Sequence, residues 1–192
     1  MTTRDGRDAR REARDEEDFR RKDQALIEKI RQRSAGAEIQ HALGVTTGID
    51  DLEILHELQA LGFTPETVAL LPLIPVLQVA WAEGGVTPAE RQLVETFATA
   101  RGIAPGSAAD AQLMDWLANE PADEVFVGAA RLVRALLGTG STVVDPRDAD
   151  DLIDYCEQVA AASGGVFGLG RVSEDEKTLL RSIATDLRDR RG

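Results

Sequence analysis

A nine-residue segment occurs twice in this chain and constrains its fold more than any other feature. Residues 78–86 match residues 158–166 at a constant offset of 80, and seven of the nine positions are identical. After six additional residues the match resumes at an offset of 86, where residues 86–90 parallel residues 172–176. Identity at fixed offsets indicates that a structural unit is duplicated within the chain.

The repeated segment has the composition of a corner between two helices. In the first copy, Gly84 and Gly85 can adopt the left-handed conformation that ends a helix. Thr87 and Glu90 then have the spacing of a capping box, which starts the next helix. In the second copy the same turn and capping roles fall to Gly164, Gly165, Gly170, Ser173 and Glu176. The sequence therefore predicts two related helix-turn-helix units.

Periodicity and capping signals elsewhere predict an all-α fold, a compact helical bundle with a charged N-terminal helical arm. The two units span about residues 64–103 and 145–188. Thr142-Val143-Val144, the only run that favours a strand, is too short to build a sheet. The expected helices cover residues 52–61, 75–82, 88–100, 108–118, 122–137, 146–162 and 174–188.

Glycines and prolines divide the first half of the chain. Gly36, Gly44 and Gly48 are expected to interrupt it, and Thr64 is expected to cap a helix that starts at Pro65. Two further prolines, at 72 and 75, must kink or divide that segment. The helix over residues 75–82 is apolar on nearly all sides, so we expect it at the centre of the core.

Charge separates an N-terminal arm, residues 1–35, from the body, residues 36–192. Residues 1–33 contain 11 Lys and Arg against 9 Asp and Glu, whereas the remaining residues contain 11 against 25, a net charge of −14. We expect residues 1–16 to be frayed. The apolar stripe from Phe19 to Ile30 predicts a docking helix that either packs on the acidic body of its own chain or reaches a neighbouring subunit, so homo-oligomers are possible.

The same charge distribution restricts the partners. An acidic body repels nucleic-acid phosphates, so no nucleic acid is expected. The apolar run over residues 67–82 has 16 residues and is broken by two prolines, which is too short for a membrane span. The polar N-terminus lacks a secretory signal, and the single cysteine, Cys156, permits no internal disulfide. We therefore expect a cytoplasmic protein with protein partners of unknown identity.

The corner has some likeness to a calcium loop, and a cation site at Glu83 and Glu90 is kept as an alternative. If Gly84 takes the sixth loop position, Glu90 falls at the twelfth, where an EF-hand has its closing carboxylate. However, the first and third positions would be Val79 and Trp81, which cannot coordinate a hard cation. The second copy fails the same comparison.

The second copy contains a longer, glycine-rich loop with two apolar side chains. Phe167 and Leu169 either fold back as a lid over the core, which we favour, or offer a contact surface to a partner. Cys156, His41 and His56 lack neighbours at the spacings of a nucleophile, a general base or a zinc helix. We expect neither an enzyme nor a cofactor.

The first corner resembles the tellurite-resistance TerB family and its relatives, including the N-terminal domain of DjlA-type co-chaperones. Their motif is a helix ending in Ala-x-x-Asp-Gly, then an aliphatic residue, a capping residue and a Glu. The corresponding residues here are Ala80, Glu83, Gly84, Val86, Thr87, Pro88 and Glu90. The resemblance covers about residues 50–188. It departs from the family at the Asp, which is replaced by Glu83 in one copy and Ser163 in the other.

This resemblance implies a role without catalysis. It suggests a TerB-like helical module in a bacterial stress-response or envelope-associated complex that acts through protein–protein interaction. The alternative remains a module that responds weakly to divalent cations through Glu83 and Glu90.

Overall fold

A computed structural model describes the backbone of residues 5–136, 141–144 and 148–162 and three single positions, 178, 181 and 185. Side chains are described for residues 20–136, 141–144 and 151–162 and for the three single positions. Within these ranges all regular structure is helical, which confirms the all-α expectation. The helices are α1 (Asp5–Thr47), α2 (Leu52–Ala60), a 3₁₀ segment (Val68–Leu73), α3 (Ile74–Trp81), α4 (Pro88–Ala100), α5 (Ala108–Ala118), α6 (Asp123–Leu136) and α7 (Asp148–Ala162).

Helix α1 is longer and less interrupted than the sequence suggests. Its backbone is helical from Asp5, within the segment expected to be frayed, and it continues through Gly36 and Gly44. Only Gly48 ends it, with a φ of 69°. A glycine costs about 1 kcal/mol relative to alanine within a helix, which is too little to break a long one. The expectation that all three glycines interrupt the chain was therefore wrong for two of them.

The chain divides into two units, Met1–His41 and Ala42–Gly192, and α1 extends past the division. The second unit contains the apolar core. Its central element is α3, which packs against α4, α6, α7 and the 3₁₀ segment. Six of its eight residues are buried, namely Ile74, Pro75, Val76, Leu77, Val79 and Ala80. Burying a Val, Leu or Ile side chain contributes roughly 1.5–3 kcal/mol, so α3 stabilises the core of this unit, and its central position is the one that its composition predicts.

The segment before α3 differs from the expected helix. Residues 65–67 form a turn, and the 3₁₀ segment begins at Val68. Thr64 does not cap a helix: its N–H donates to the Thr67 hydroxyl at 2.9 Å, and its own hydroxyl bonds to the Glu66 carboxylate and lowers the pKa of that group. Pro72 lacks an N–H donor, so a regular α-helix cannot run through this segment without losing a bond.

Residues 141–144 donate hydrogen bonds to the last carbonyl groups of α1. The Thr142 N–H donates to the Thr47 carbonyl at 3.0 Å, and the Thr142 hydroxyl donates to the Thr46 carbonyl at 2.9 Å. Carbonyls in the last turn of a helix have no partner within the helix. The run Thr142-Val143-Val144, which favours a strand in sequence, therefore caps the C-terminal end of α1 instead. None of the described helices is long and apolar enough to cross a membrane.

Candidate functional site

The corner between α3 and α4 is closed by local hydrogen bonds. Gly84 has a φ of 80°, a conformation that side chains disfavour. The Thr87 hydroxyl accepts from the Glu90 N–H at 3.3 Å, and the Glu90 carboxylate accepts from the Thr87 N–H at 2.6 Å. These reciprocal bonds form a capping box, with Pro88 at the start of α4.

Side chains near this corner also donate hydrogen bonds to the backbone at the C-terminal end of α5. The indole N–H of Trp81 donates to the Trp116 carbonyl at 2.9 Å, and the guanidinium of Arg91 donates to the Leu117 carbonyl at 2.7 Å. The Trp116 ring in turn packs edge-on against Phe63, with ring centroids 6.0 Å apart. This corner therefore orients three helices, and Trp81, Thr87, Glu90 and Arg91 use their polar groups in structural bonds.

The proposed cation ligands lie in different surroundings at this corner. Glu83 is exposed, whereas Glu90 is only 2% exposed and already uses its carboxylate in the capping box. Among the described residues, no group of three or more His, Cys, Asp or Glu is arranged to hold a metal ion. A cation site at Glu83 and Glu90 remains a prediction, and it would have to compete with the cap.

The second corner lies outside the described residues. This applies to its turn and capping positions and to both apolar loop residues, which are Gly164, Gly165, Gly170, Ser173, Glu176, Phe167 and Leu169. Before the turn, Val159 and Ala160 are buried near the end of α7, as Val79 and Ala80 are near the end of α3. The helices that lead into the two corners pack against each other.

Cys156 is fully buried in α7. Burial, together with the negative charge of Glu157, raises the pKa of its thiol to about 12. A thiol with this pKa is almost wholly protonated at neutral pH, and only the thiolate is a good nucleophile. His41 and His56 are both exposed and lie in different units of the chain.

A surface groove between α2 and α6 is the candidate binding site in the part of the chain that the structure describes. Its volume is about 430 Å³, and its apolar lining consists of Ala60, Leu61, Val127 and Gly128. A Cβ atom on residue 128 would lie 2.7 Å from a Leu61 methyl carbon, so a larger residue there would require the Leu61 side chain to move. Val127, beside it, is 68% exposed at the edge of the groove.

Charged side chains complete the lining of this α2–α6 groove. Glu57 and Arg131 form an ion pair across it, in which Arg131 Nε lies 2.8 Å from a Glu57 oxygen. Asp123 and Glu124 are exposed in the first turn of α6. The lining therefore contains three carboxylates and one guanidinium, and its net charge is negative.

Sequence reasoning missed this site. Its one local signal is the pair Val127-Gly128, an exposed aliphatic residue followed by a glycine within an otherwise regular helix. Glycine within a helix indicates close packing, but the sequence does not show what packs there. Compared with models of known protein families, with curated proteins and with solved structures, the chain matches none of them.

Proposed function

We propose that this chain is a non-catalytic helical module of the TerB-like type. It acts in a bacterial stress-response or envelope-associated complex and binds a protein partner at the α2–α6 groove. The resemblance of the first corner to that family supports the type of module. The groove supports the mode of action, because apolar surface bordered by polar residues is typical of protein contacts.

The exposure of Val127 at the α2–α6 groove is the observation that carries this proposal. A single exposed aliphatic side chain is ordinary on a protein surface. Val127 differs because it adjoins Ala60 and Leu61 in one apolar depression. Covering that depression would remove apolar area from water, which favours association.

The lining also indicates the chemistry of the partner. Arg131 is already paired with Glu57, so Asp123 and Glu124 leave the groove with a net negative rim that attracts Lys and Arg. A groove between two helices suits an amphipathic helix, whose apolar side chains recur three or four residues apart. We therefore infer that the partner presents a helix with an aliphatic stripe and adjacent basic residues.

The test compares two matched substitutions in the full chain. Val127→Asp places a charge within the groove, whereas Leu52→Asp changes a residue of similar exposure, 71% against 68%, that does not line it. Both tagged variants and the unchanged chain are used to capture proteins from an extract of the native host. Proteins that Leu52→Asp retains and Val127→Asp loses would support the proposal. Identical captured sets would contradict it.

A further inference from the structure

The second exposed apolar surface lies on α1. Leu26, Ile27 and Ile30 are 56%, 49% and 55% exposed. Residues three and four positions apart share one face of a helix, so these side chains form a single stripe. Because covering a group of half-exposed aliphatic side chains removes apolar area from water, such a stripe favours binding to another surface.

Basic residues border this stripe on both sides. Lys22 precedes Leu26 by four residues and Lys29 follows it by three, while Arg31 follows Ile27 by four. Over residues 20–33 there are six Lys or Arg against two Asp or Glu, a net charge of +4. This part of α1 is therefore a cationic amphipathic helix.

We propose that the α2–α6 groove binds residues 20–33 of α1 from a second copy of this chain. The inference rests on the proposed function, because it names the partner of the same groove. The two surfaces are complementary: the groove offers Val127 beside the carboxylates of Asp123 and Glu124, and the helix offers Leu26 and Ile30 beside ammonium and guanidinium groups. Because each copy has both surfaces, two such contacts can form reciprocally in a closed dimer.

Charge favours this occupant over an anionic lipid surface. Residues 34–192 have a net charge of −14, which repels a negative membrane and attracts a basic helix. The stripe also has only three aliphatic side chains in the described part of α1, which is a small anchor for a bilayer. Each contact is small, so we expect dissociation constants on the order of 10 µM.

Cross-linking between two different variants tests the contact between copies. One chain has Ile30→Cys and the other has Val127→Cys, both with Cys156→Ala, and only one of them is tagged. Neither variant can form the bond within a single chain, so a mixed disulfide dimer reports contact in trans. The control pair combines Ile30→Cys with Leu52→Cys. We expect the first pair to form the mixed dimer about tenfold faster, because binding raises the local concentration of the thiols.

Three results would overturn the inference. Equal rates for the two pairs would show that the helix does not select the groove. A double Ile30→Cys/Val127→Cys chain that cross-links only within itself would identify the occupant as its own arm. Binding to vesicles of phosphatidylcholine and phosphatidylglycerol, in about a 3:1 ratio and without the mixed dimer, would identify a lipid surface.

Sedimentation velocity measures self-association directly, so it shows whether the inference fails while the proposed function stands, or whether both fail. We expect the unchanged chain to approach the mass of a dimer at about 50 µM, and Val127→Asp or Lys29→Glu to weaken association about tenfold. If the chain stays monomeric but still captures other proteins through Val127, the inference fails and the proposed function stands. If Val127→Asp changes neither measurement, both fail.

Discussion

The indole N–H of Trp81, the last residue of α3, donates a hydrogen bond of 2.9 Å to the backbone carbonyl of Trp116 in the final turn of α5. Arg91, on α4, bonds to the next carbonyl, that of Leu117. Both carbonyls belong to the last four of their helix, which have no partner within it. One corner thus supplies the C-terminal cap of a helix that is distant in sequence.

Replacing Trp81 with Phe is expected to lower the free energy of unfolding by about 1–2 kcal/mol. The ring remains largely apolar, but the Trp116 carbonyl loses its donor. Urea unfolding followed by far-UV circular dichroism measures the change. Leu52→Ala, at an exposed position, serves as the control and should have little effect. An unchanged midpoint for Trp81→Phe would show that water replaces the indole at no cost.

Removing the hydroxyl of Thr87 tests the capping box. Thr87→Ala leaves the Glu90 N–H without its side-chain acceptor and is expected to cost about 1 kcal/mol, whereas Thr87→Ser keeps the oxygen and should cost less. The difference in thermal midpoint between the two variants, measured by calorimetry, gives the contribution of the bond. If both variants unfolded at the same temperature, the hydroxyl would not stabilise α4.

Local signals were sufficient to predict the helices whose caps lie next to them in sequence. The ranges expected for α4 and α5 coincide with Pro88–Ala100 and Ala108–Ala118. Thr87 and Ser107 each accept a hydrogen bond from the backbone N–H three residues later, a contact that needs no other part of the fold. The burial of α3 was equally predictable, because that helix is apolar on nearly all sides.

The α2–α6 groove could not be predicted, because it depends on contacts between distant residues. Leu61 follows α2 and approaches Gly128 in α6, and Glu57 pairs with Arg131 across 74 positions. Nothing near Gly128 in the sequence identifies Leu61 as its neighbour. The continuity of α1 was missed for a different reason: single glycines weaken a long helix without ending it.

A double-mutant cycle tests the close approach of Leu61 to Gly128. In a Leu61→Ala background, Gly128→Ala should stabilise the protein by about 1 kcal/mol, because alanine favours a helix more than glycine does. With Leu61 present, the new methyl group would meet its methyl carbons at 2.7 and 2.8 Å, and the gain should disappear. Denaturant unfolding of the four proteins measures the coupling energy. Additive effects would show that Leu61 moves aside freely.

The buried thiol of Cys156 predicts a loss of stability at alkaline pH. Burial, with a smaller effect of Glu157, raises its pKa from 9.0 to about 12. Between these values the unfolded chain releases the proton and the folded chain keeps it. The free energy of unfolding should therefore fall by roughly 1.4 kcal/mol per pH unit above pH 9. Cys156→Ala lacks this contribution but keeps every other titrating group. Urea unfolding from pH 8 to 11 should give the unchanged chain the steeper decline, and equal slopes would contradict the prediction.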